Sequence, residues 1–212
     1  MKAIAIVGVA VMVLSTPAWA GMEEDVAHVR QEWERVKYTV APKQQATEFE
    51  KLATIAQTVM QKYPKRAEPA IWHGIVEASH AGAMGGIGAL ALAKSARKSL
   101  EYALAMEPAA LDGSAYTSLG SLYYQVPGWP IGFGDRAKAQ ELLKQGLALN
   151  PHGIDPNYFY GDFLFRSGDY EGAERVLLKA LQAPPREGRA VADDGRRREV
   201  SDLLHKIREK RQ

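Results

Sequence analysis

Three ionisable side chains with acid–base chemistry lie at helical spacing in the first half of the chain. His73, Glu77 and His80 are separated by four and three residues, which places all three on one face of an α-helix. The two histidines would be about 10.5 Å apart along the helix axis, too far for one metal ion without a third element. The spacing therefore predicts a polar helix face, with a metal or acid–base site as the alternative.

The sequence lacks the other common signatures of catalysis. It contains no G-x-S-x-G, no P-loop and no H-E-x-x-H motif. It also contains no cysteine, which excludes disulfides, zinc ribbons, iron–sulfur ligation and a thiol nucleophile. We therefore predict that the protein is not an enzyme and that it has no catalytic residue, no metal and no cofactor.

A second group of residues suits recognition rather than catalysis. Aromatic residues are concentrated between positions 116 and 170, and several lie beside hydrogen-bonding groups. Such combinations bind peptides or amphipathic small molecules. The candidate partner-binding residues are Tyr124, Gln125, Tyr158, Asp162, Phe165 and Arg166. The alternative is that the C-terminal helix covers Tyr158 and Phe165.

Two inserts supply further candidates. Residues 125–135 contain two prolines and three glycines, which predict a non-helical loop. Trp129 and Phe133 within it either pack over the core or form a lid or docking loop. The other insert, Ala81–Ala93, has thirteen uncharged residues. It predicts a glycine-rich turn that runs into a buried helix, or else a subunit interface or the wall of an apolar passage.

A repeated spacing identifies the elements that position these side chains. A small residue is followed by leucine after four residues, by another small residue after three more, and by proline after five more. The pattern occurs three times, at Ala96-Leu100-Ala103-Pro108, Ala139-Leu143-Gly146-Pro151 and Ala173-Leu177-Ala180-Pro185. The small residues let two helices approach, leucine fills the space beside them, and proline ends the second helix.

The helix that precedes each pattern carries its own small residue. Tyr116-x2-Leu119-Gly120-x2-Tyr123 is the clearest instance, Asn157-x2-Tyr160-Gly161-x2-Leu164 is looser, and the helix around Gly74 keeps only the glycine. Asp155-Pro156 predicts an N-cap, and Gly168-Asp169 predicts a tight turn.

These motifs resemble the tetratricopeptide repeat, and from Gly74 onward the chain is similar to tetratricopeptide proteins of the bacterial envelope. The resemblance implies an all-α, right-handed solenoid of helical hairpins. The first helices would line its concave surface, where the six candidate residues fall. The expected division is a signal peptide at 1–20, a degenerate helical pair at 21–64, three repeats at 65–185, and a capping helix at 186–212.

The final helix is expected over about Asp194–Glu209. Its apolar stripe is formed by Val200, Leu203, Leu204 and Ile207. Its opposite face is expected to be solvated and carries the basic residues Arg196, Arg197, Arg198, Arg208 and Lys210. The positive charges are interspersed with acids, and no aromatic residue lies among them. This pattern argues against a nucleic-acid arm.

The stretch Ser118-Leu-Gly-Ser-Leu-Tyr-Tyr124 with Gly134-Asp-Arg-Ala-Lys-Ala139 also resembles the T-component family of TRAP transporters. That resemblance implies an accessory protein that forms oligomers and binds a small apolar ligand or the transporter's substrate-binding subunit. The leading interpretation is a non-catalytic scaffold that binds a protein or peptide partner, with a homo-oligomer as a further possibility.

The N-terminus has the features of an export signal. Lys2 precedes an uncharged apolar run, and Ala18-Trp19-Ala20 provides a small-residue cleavage site. The run is too short to span a bilayer. We therefore expect cleavage after Ala20 and a periplasmic product without a transmembrane segment. The net charge of +2 gives no electrostatic reason to expect nucleic-acid binding.

Overall fold

Helices account for all regular secondary structure in residues 18–211, the part of the chain that the computed structural model describes. Side chains are described from residue 21 onward. The helices are α1 (Ala18–Thr39), α2 (Pro42–Lys62), α3 (Ala67–Met84), α4 (Ala89–Met106), α5 (Ala110–Gln125), α6 (Arg136–Leu149), α7 (Ile154–Arg166), α8 (Tyr170–Leu181) and α9 (Ala190–Arg211). The predicted all-α solenoid is confirmed.

The helices are arranged as four hairpins followed by one further helix. α1 packs on α2, α3 on α4, α5 on α6, and α7 on α8. The first helices of successive hairpins also contact one another, in the order α1, α3, α5 and α7. This stacking places the first helices along one side of the molecule.

Glycine in each of the last three first helices allows the second helix of the hairpin to approach closely. A Cβ on Gly74, Gly120 or Gly161 would lie only 2.6–2.7 Å from the Cγ of Leu100, Leu143 or Leu177, respectively. All three leucines are fully buried. The repeated spacing therefore predicts the packing correctly, because each leucine occupies the space that a larger residue at the glycine would need.

The turns between helices have clear local causes. Asp169 accepts a hydrogen bond from the Gly172 amide at 2.8 Å, and Gly168 adopts φ +83°, which confirms the predicted turn before α8. The prediction of an N-cap at Asp155-Pro156 is wrong. The N-cap of α7 is Gly153, and the Asp155 carboxylate instead contacts arginines.

The Ala81–Ala93 insert is divided between two helices and a short turn. α3 ends at Met84, Gly85 and Gly86 have positive φ, and α4 begins at Ala89. The end of the insert, at Ala93, is buried. Ile87, in the turn, is 97% exposed. The expected glycine-rich turn is therefore present, but the expected buried helix start is not, because Ala89, Leu90 and Leu92 are only half-buried and Ala91 is exposed.

The C-terminal helix contacts both ends of the solenoid. Its apolar stripe packs against the α7–α8 core as predicted, through Val200, Leu203, Leu204 and Ile207. The helix begins at Ala190, four residues before the predicted start, and it also contacts α1. Arg196, expected on a solvated face, is instead buried because this part of α9 lies between α7 and α1. The nine helices that the structure describes thus close into a ring.

The predicted signal peptide, residues 1–20, lies almost entirely outside the described residues. Ala18–Ala20 form the first turn of α1, so the backbone on both sides of the expected cleavage point is helical. Between residues 18 and 211, none of the helices combines the length and the apolar character needed to span a bilayer.

Candidate functional site

The first helices and α9 line most of a central, partly open cavity of about 620 Å³. Its wall includes Trp33 of α1, Trp72 of α3, Thr117 of α5, Asp162 of α7 and Arg196 of α9. This volume is within the range of pockets that hold a drug-sized molecule or a few residues of peptide. The ring therefore has an interior large enough to bind a ligand.

Polar contacts close the ring where α9 meets α1. Arg189 Nε, just before α9, donates to Glu34 Oε1 at 2.7 Å. Lys37 Nζ lies 3.2 Å from Glu199 Oε1, and the Tyr38 hydroxyl donates to Glu199 Oε2 at 3.5 Å. A Cβ on Gly195 would overlap the Tyr38 ring, so glycine is required for this approach. We call this α1–α9 interface the seam.

An ionic network in the wall of the cavity holds α9 on α7. Asp155 accepts from Arg186 Nη1 at 2.6 Å and from Arg196 Nε at 2.7 Å. Burial acts to raise the pKa of Asp155, but the nearby charges of Arg196, Arg186 and Arg189 outweigh it and hold this pKa well below its usual range. Asp155 therefore remains ionised and stabilises the arginines around it.

The predicted concave patch is largely assembled. Gln125, Tyr158, Asp162 and Arg166 line the cavity. Asp162 Oδ2 accepts from the Tyr124 hydroxyl at 2.7 Å and from Arg166 Nε at 2.9 Å. Burial, followed by the adjacent Asp162 carboxylate, raises the pKa of Tyr124 well above its usual value. Tyr124 thus lies behind the wall and fixes the position of Asp162.

Two predicted patch residues are placed differently from expectation. The Arg196 guanidinium lies 4.4 Å from the centre of the Tyr158 ring, so α9 covers this half-buried tyrosine, and burial raises its pKa to about 12. Phe165 does not line the cavity; it packs against Tyr170, with 5.6 Å between ring centres. The alternative of cover by the C-terminal helix therefore holds for Tyr158.

The two loop candidates have different surroundings. Phe133 packs against Tyr123 at 5.5 Å between ring centres, and the Arg97 guanidinium lies 4.6 Å from the Phe133 ring centre. Trp129 is 90% exposed, so the expectation of packing over the core is wrong for this residue. The loop around it is compact, because Ile131 and Gly132 both donate backbone hydrogen bonds to the Gly128 carbonyl.

The histidine-containing face of α3 is buried rather than solvated. His73 Nδ1 lies 2.8 Å from Ser99 Oγ, and His73 Nε2 lies 3.5 Å from Glu77 Oε1. Burial lowers the pKa of His73 and His80 and raises that of Glu77. Among residues 21–211, no three His, Asp or Glu side chains converge as a metal site would require. The cluster joins α3 to α4 within the core.

Several wall residues were not identified from the sequence. Arg30, Trp33 and Lys37 all line the cavity from α1, and their spacing of three and four places them on one face. That spacing could have indicated a shared helix face. However, α1 belongs to the hairpin whose sequence matches the repeat motif least well. Leu111 and Asp112 also line the cavity, in left-handed conformations with φ 49° and 53° that non-glycine residues rarely adopt.

Comparison with known proteins supports the repeat assignment. Residues 131–193 match the family model described as tetratricopeptide repeat. The chain is similar to the crystal structure of a thermophilic TPR protein from Thermus thermophilus, with a TM-score of 0.57 and 17% identity over 88% of this chain and 94% of that one. The structure of MamA matches 80% of this chain and 92% of its own at 20% identity, with a TM-score of 0.46. Among curated proteins, no relative matches the sequence.

The repeat spacing, the glycine–leucine crossings, the family match and the shared fold agree with one another. Tetratricopeptide repeats typically mediate protein–protein interactions and are generally non-catalytic. The chain therefore has a tetratricopeptide-repeat fold, matches the repeat family over residues 131–193, and carries a central cavity between its hairpins and its C-terminal helix.

Proposed function

We propose that the protein is an exported, non-catalytic scaffold that binds a segment of a protein partner in its central cavity. The observation that carries the proposal is the composition of the cavity wall. All four first helices contribute to it, and it combines aromatic rings with hydrogen-bonding groups. Tyrosine, tryptophan and arginine are the residue types that most often dominate the energy of protein interfaces.

Arg166 is the most suitable residue for testing this role. Its side chain is 53% exposed and forms an i,i+4 ion pair with Asp162 in the cavity wall. Arg175 forms a similar i,i+4 pair with Glu171 on the exposed surface of α8. The two arginines thus provide a matched comparison between the cavity and the outside of the solenoid.

The experiment compares affinity capture from envelope extract by the parent, Arg166→Ala and Arg175→Ala proteins. We expect Arg166→Ala to lose captured partners that Arg175→Ala retains, with little change in melting temperature for either variant. Equal capture by all three proteins would overturn the role of the cavity. Tyr158→Ala is unsuitable for this test, because Tyr158 is half-buried beneath Arg196.

We further propose that export removes residues 1–20. The basic start, the apolar run and Ala18-Trp19-Ala20 support this processing. The intact mass of protein recovered from the periplasmic fraction should correspond to a chain that begins at Gly21. A product that retains Met1, or one confined to the cytoplasm, would contradict it.

A second candidate function is an accessory role in transport, with a small ligand held inside the ring. The size of the cavity and the apolar Ala78 and Ala83 in its wall favour this alternative. Native mass spectrometry of the protein purified from its own cells distinguishes the two functions. A retained small molecule supports the accessory role, and a captured polypeptide supports the scaffold.

A further inference from the structure

We infer that the cavity takes a carboxylate-bearing ligand, with Arg30 as the group that binds the carboxylate. This inference rests on the proposed binding role of the cavity and specifies the chemistry of its occupant. The ligand is the C-terminal carboxylate of a bound peptide or the carboxylate of a small amphipathic acid. Both present the same planar pair of oxygens.

Among the residues that the structure describes, the ion pairs in the wall leave Arg30 as its unmatched cation. Lys37 pairs with Glu199, Arg166 with Asp162, and Arg189 with Glu34. Arg186 and Arg196 share Asp155. Within residues 21–211, no carboxylate lies within 4.0 Å of the Arg30 guanidinium. Asp112, the wall acid without an ion pair in this part of the chain, is exposed to solvent.

The Nε group of Arg30 also lacks a hydrogen-bond acceptor. This atom is buried, and no described side chain or backbone oxygen accepts from it. A buried N–H of a charged group is rarely left without an acceptor in a folded protein. A carboxylate ligand would offer acceptor oxygens to the planar guanidinium and neutralise its charge.

The surrounding wall indicates the rest of the ligand. Trp33 lies one turn from Arg30 on α1, and Trp72, Ile75 and Ala78 of α3 contribute further apolar surface to the cavity. Trp33 is held in place because its Nε1 donates to Ser79 Oγ at 2.8 Å. An apolar or aromatic body attached to a carboxylate fits this part of the wall, because the Trp33 and Trp72 ring centres lie 6.0 Å apart and form one aromatic surface.

The test uses matched acid and amide probes with the full exported chain. The small-molecule pair is 4-phenylbutyrate and 4-phenylbutyramide. The peptide pair is N-acetyl-Ala-Ala-Leu-Phe with a free C-terminus and with a C-terminal amide. Calorimetry and tryptophan fluorescence report binding, because Trp33 and Trp72 line the cavity. The variants are Arg30→Gln, Arg30→Lys and the control Arg35→Gln, whose arginine pairs with Glu32 and Glu48 on the exposed side of α1.

We expect at least one acid to bind and its amide to bind at least tenfold more weakly. Arg30→Gln should weaken binding of the acid at least tenfold, Arg30→Lys should weaken it less, and Arg35→Gln should leave it unchanged. Preferential binding of the peptide acid identifies a polypeptide terminus as the source of the carboxylate, and preferential binding of 4-phenylbutyrate identifies a small acid.

The inference is overturned if neither acid binds at millimolar concentration, if the amides bind equally well, or if Arg30→Gln binds like the parent. These results are separable from the partner-capture experiment with Arg166→Ala. Loss of capture by Arg166→Ala without binding of either acid would leave the scaffold role intact and remove the carboxylate site. Arg30-dependent binding of an acid, with partner capture unchanged in Arg166→Ala, would support the carboxylate site and remove the proposed scaffold role of the cavity.

Discussion

Arg189 and Glu34, separated by 155 positions in the chain, form a hydrogen bond of 2.7 Å between Nε and Oε1. Glu34 is buried, and the Arg189 guanidinium also lies 5.6 Å from the centre of the Trp72 ring. This contact joins the first helix to the segment that leads into the last one.

Glu34→Gln should destabilise the protein by about 1–3 kcal/mol, because it removes the carboxylate from a buried, charge-assisted hydrogen bond and leaves Arg189 without an anion. Urea unfolding followed by circular dichroism measures the change. Glu24→Gln, at an exposed position of the same helix, is the control. Equal unfolding midpoints for the two variants would mean that the seam contributes little to stability.

Gly161→Leu should destabilise the protein by about 1–3 kcal/mol, because a Cβ at position 161 would lie 2.7 Å from Leu177 Cγ in a tightly packed helix crossing. The control is Gly82→Ala. Gly82 lies in α3 and has no atom within 4 Å of its ideal Cβ, so alanine should be neutral or stabilise by up to about 1 kcal/mol. An unchanged melting curve for Gly161→Leu would show that the helix register is wrong.

Asp155→Asn should lower the free energy of unfolding near neutral pH by about 1–3 kcal/mol. It should also make the free energy of unfolding less dependent on pH in the acid range. The pKa of Asp155 is lower in the folded protein than in the unfolded chain, so the ionised group stabilises the fold at pH values above about 4. That contribution disappears as pH falls through the folded pKa.

Urea midpoints measured from pH 7 towards pH 2 test this behaviour. The difference between parent and Asp155→Asn should be constant above about pH 5 and should shrink below about pH 4. A difference that grows on acidification would contradict the assigned direction of the pKa shift.

Phe133→Ala should destabilise the protein by about 1–2 kcal/mol, because Phe133 is half-buried against Tyr123 and Arg97. Trp129→Ala, four residues earlier in the same loop, should leave the melting temperature nearly unchanged, since Trp129 is 90% exposed. Scanning calorimetry of the two variants measures the contrast. A large loss of stability in Trp129→Ala would show that this ring is packed in solution.

The helices and their pairing could be predicted because the relevant signals are local. Gly161, Ala173 and Leu177 lie close to one another in the sequence, and their spacing alone specifies a close crossing. The same spacing placed Gln125, Asp162 and Arg166 on the concave side, where the structure has them.

The rest of the cavity could not be predicted, because it is formed by contacts between distant parts of the chain. Arg30 and Arg189 line one cavity only once the last helix meets the first. Tyr158 is covered by Arg196 for the same reason. Trp129 could not be predicted for a different reason. Its hydrophobicity predicts burial, but it lies in the compact turn at Gly128 and its side chain is exposed.

Contact between α1 and α9 also changes how the protein should lose its structure. In an open array, each repeat contacts only its neighbours, so the terminal repeats can fray while the middle remains folded. Here the terminal helices support each other through Glu34, Arg189 and Glu199. Fraying from one end would break contacts at the other. Melting should therefore be cooperative across the whole chain, like that of a globular domain, despite the modular repeats from which the chain is built.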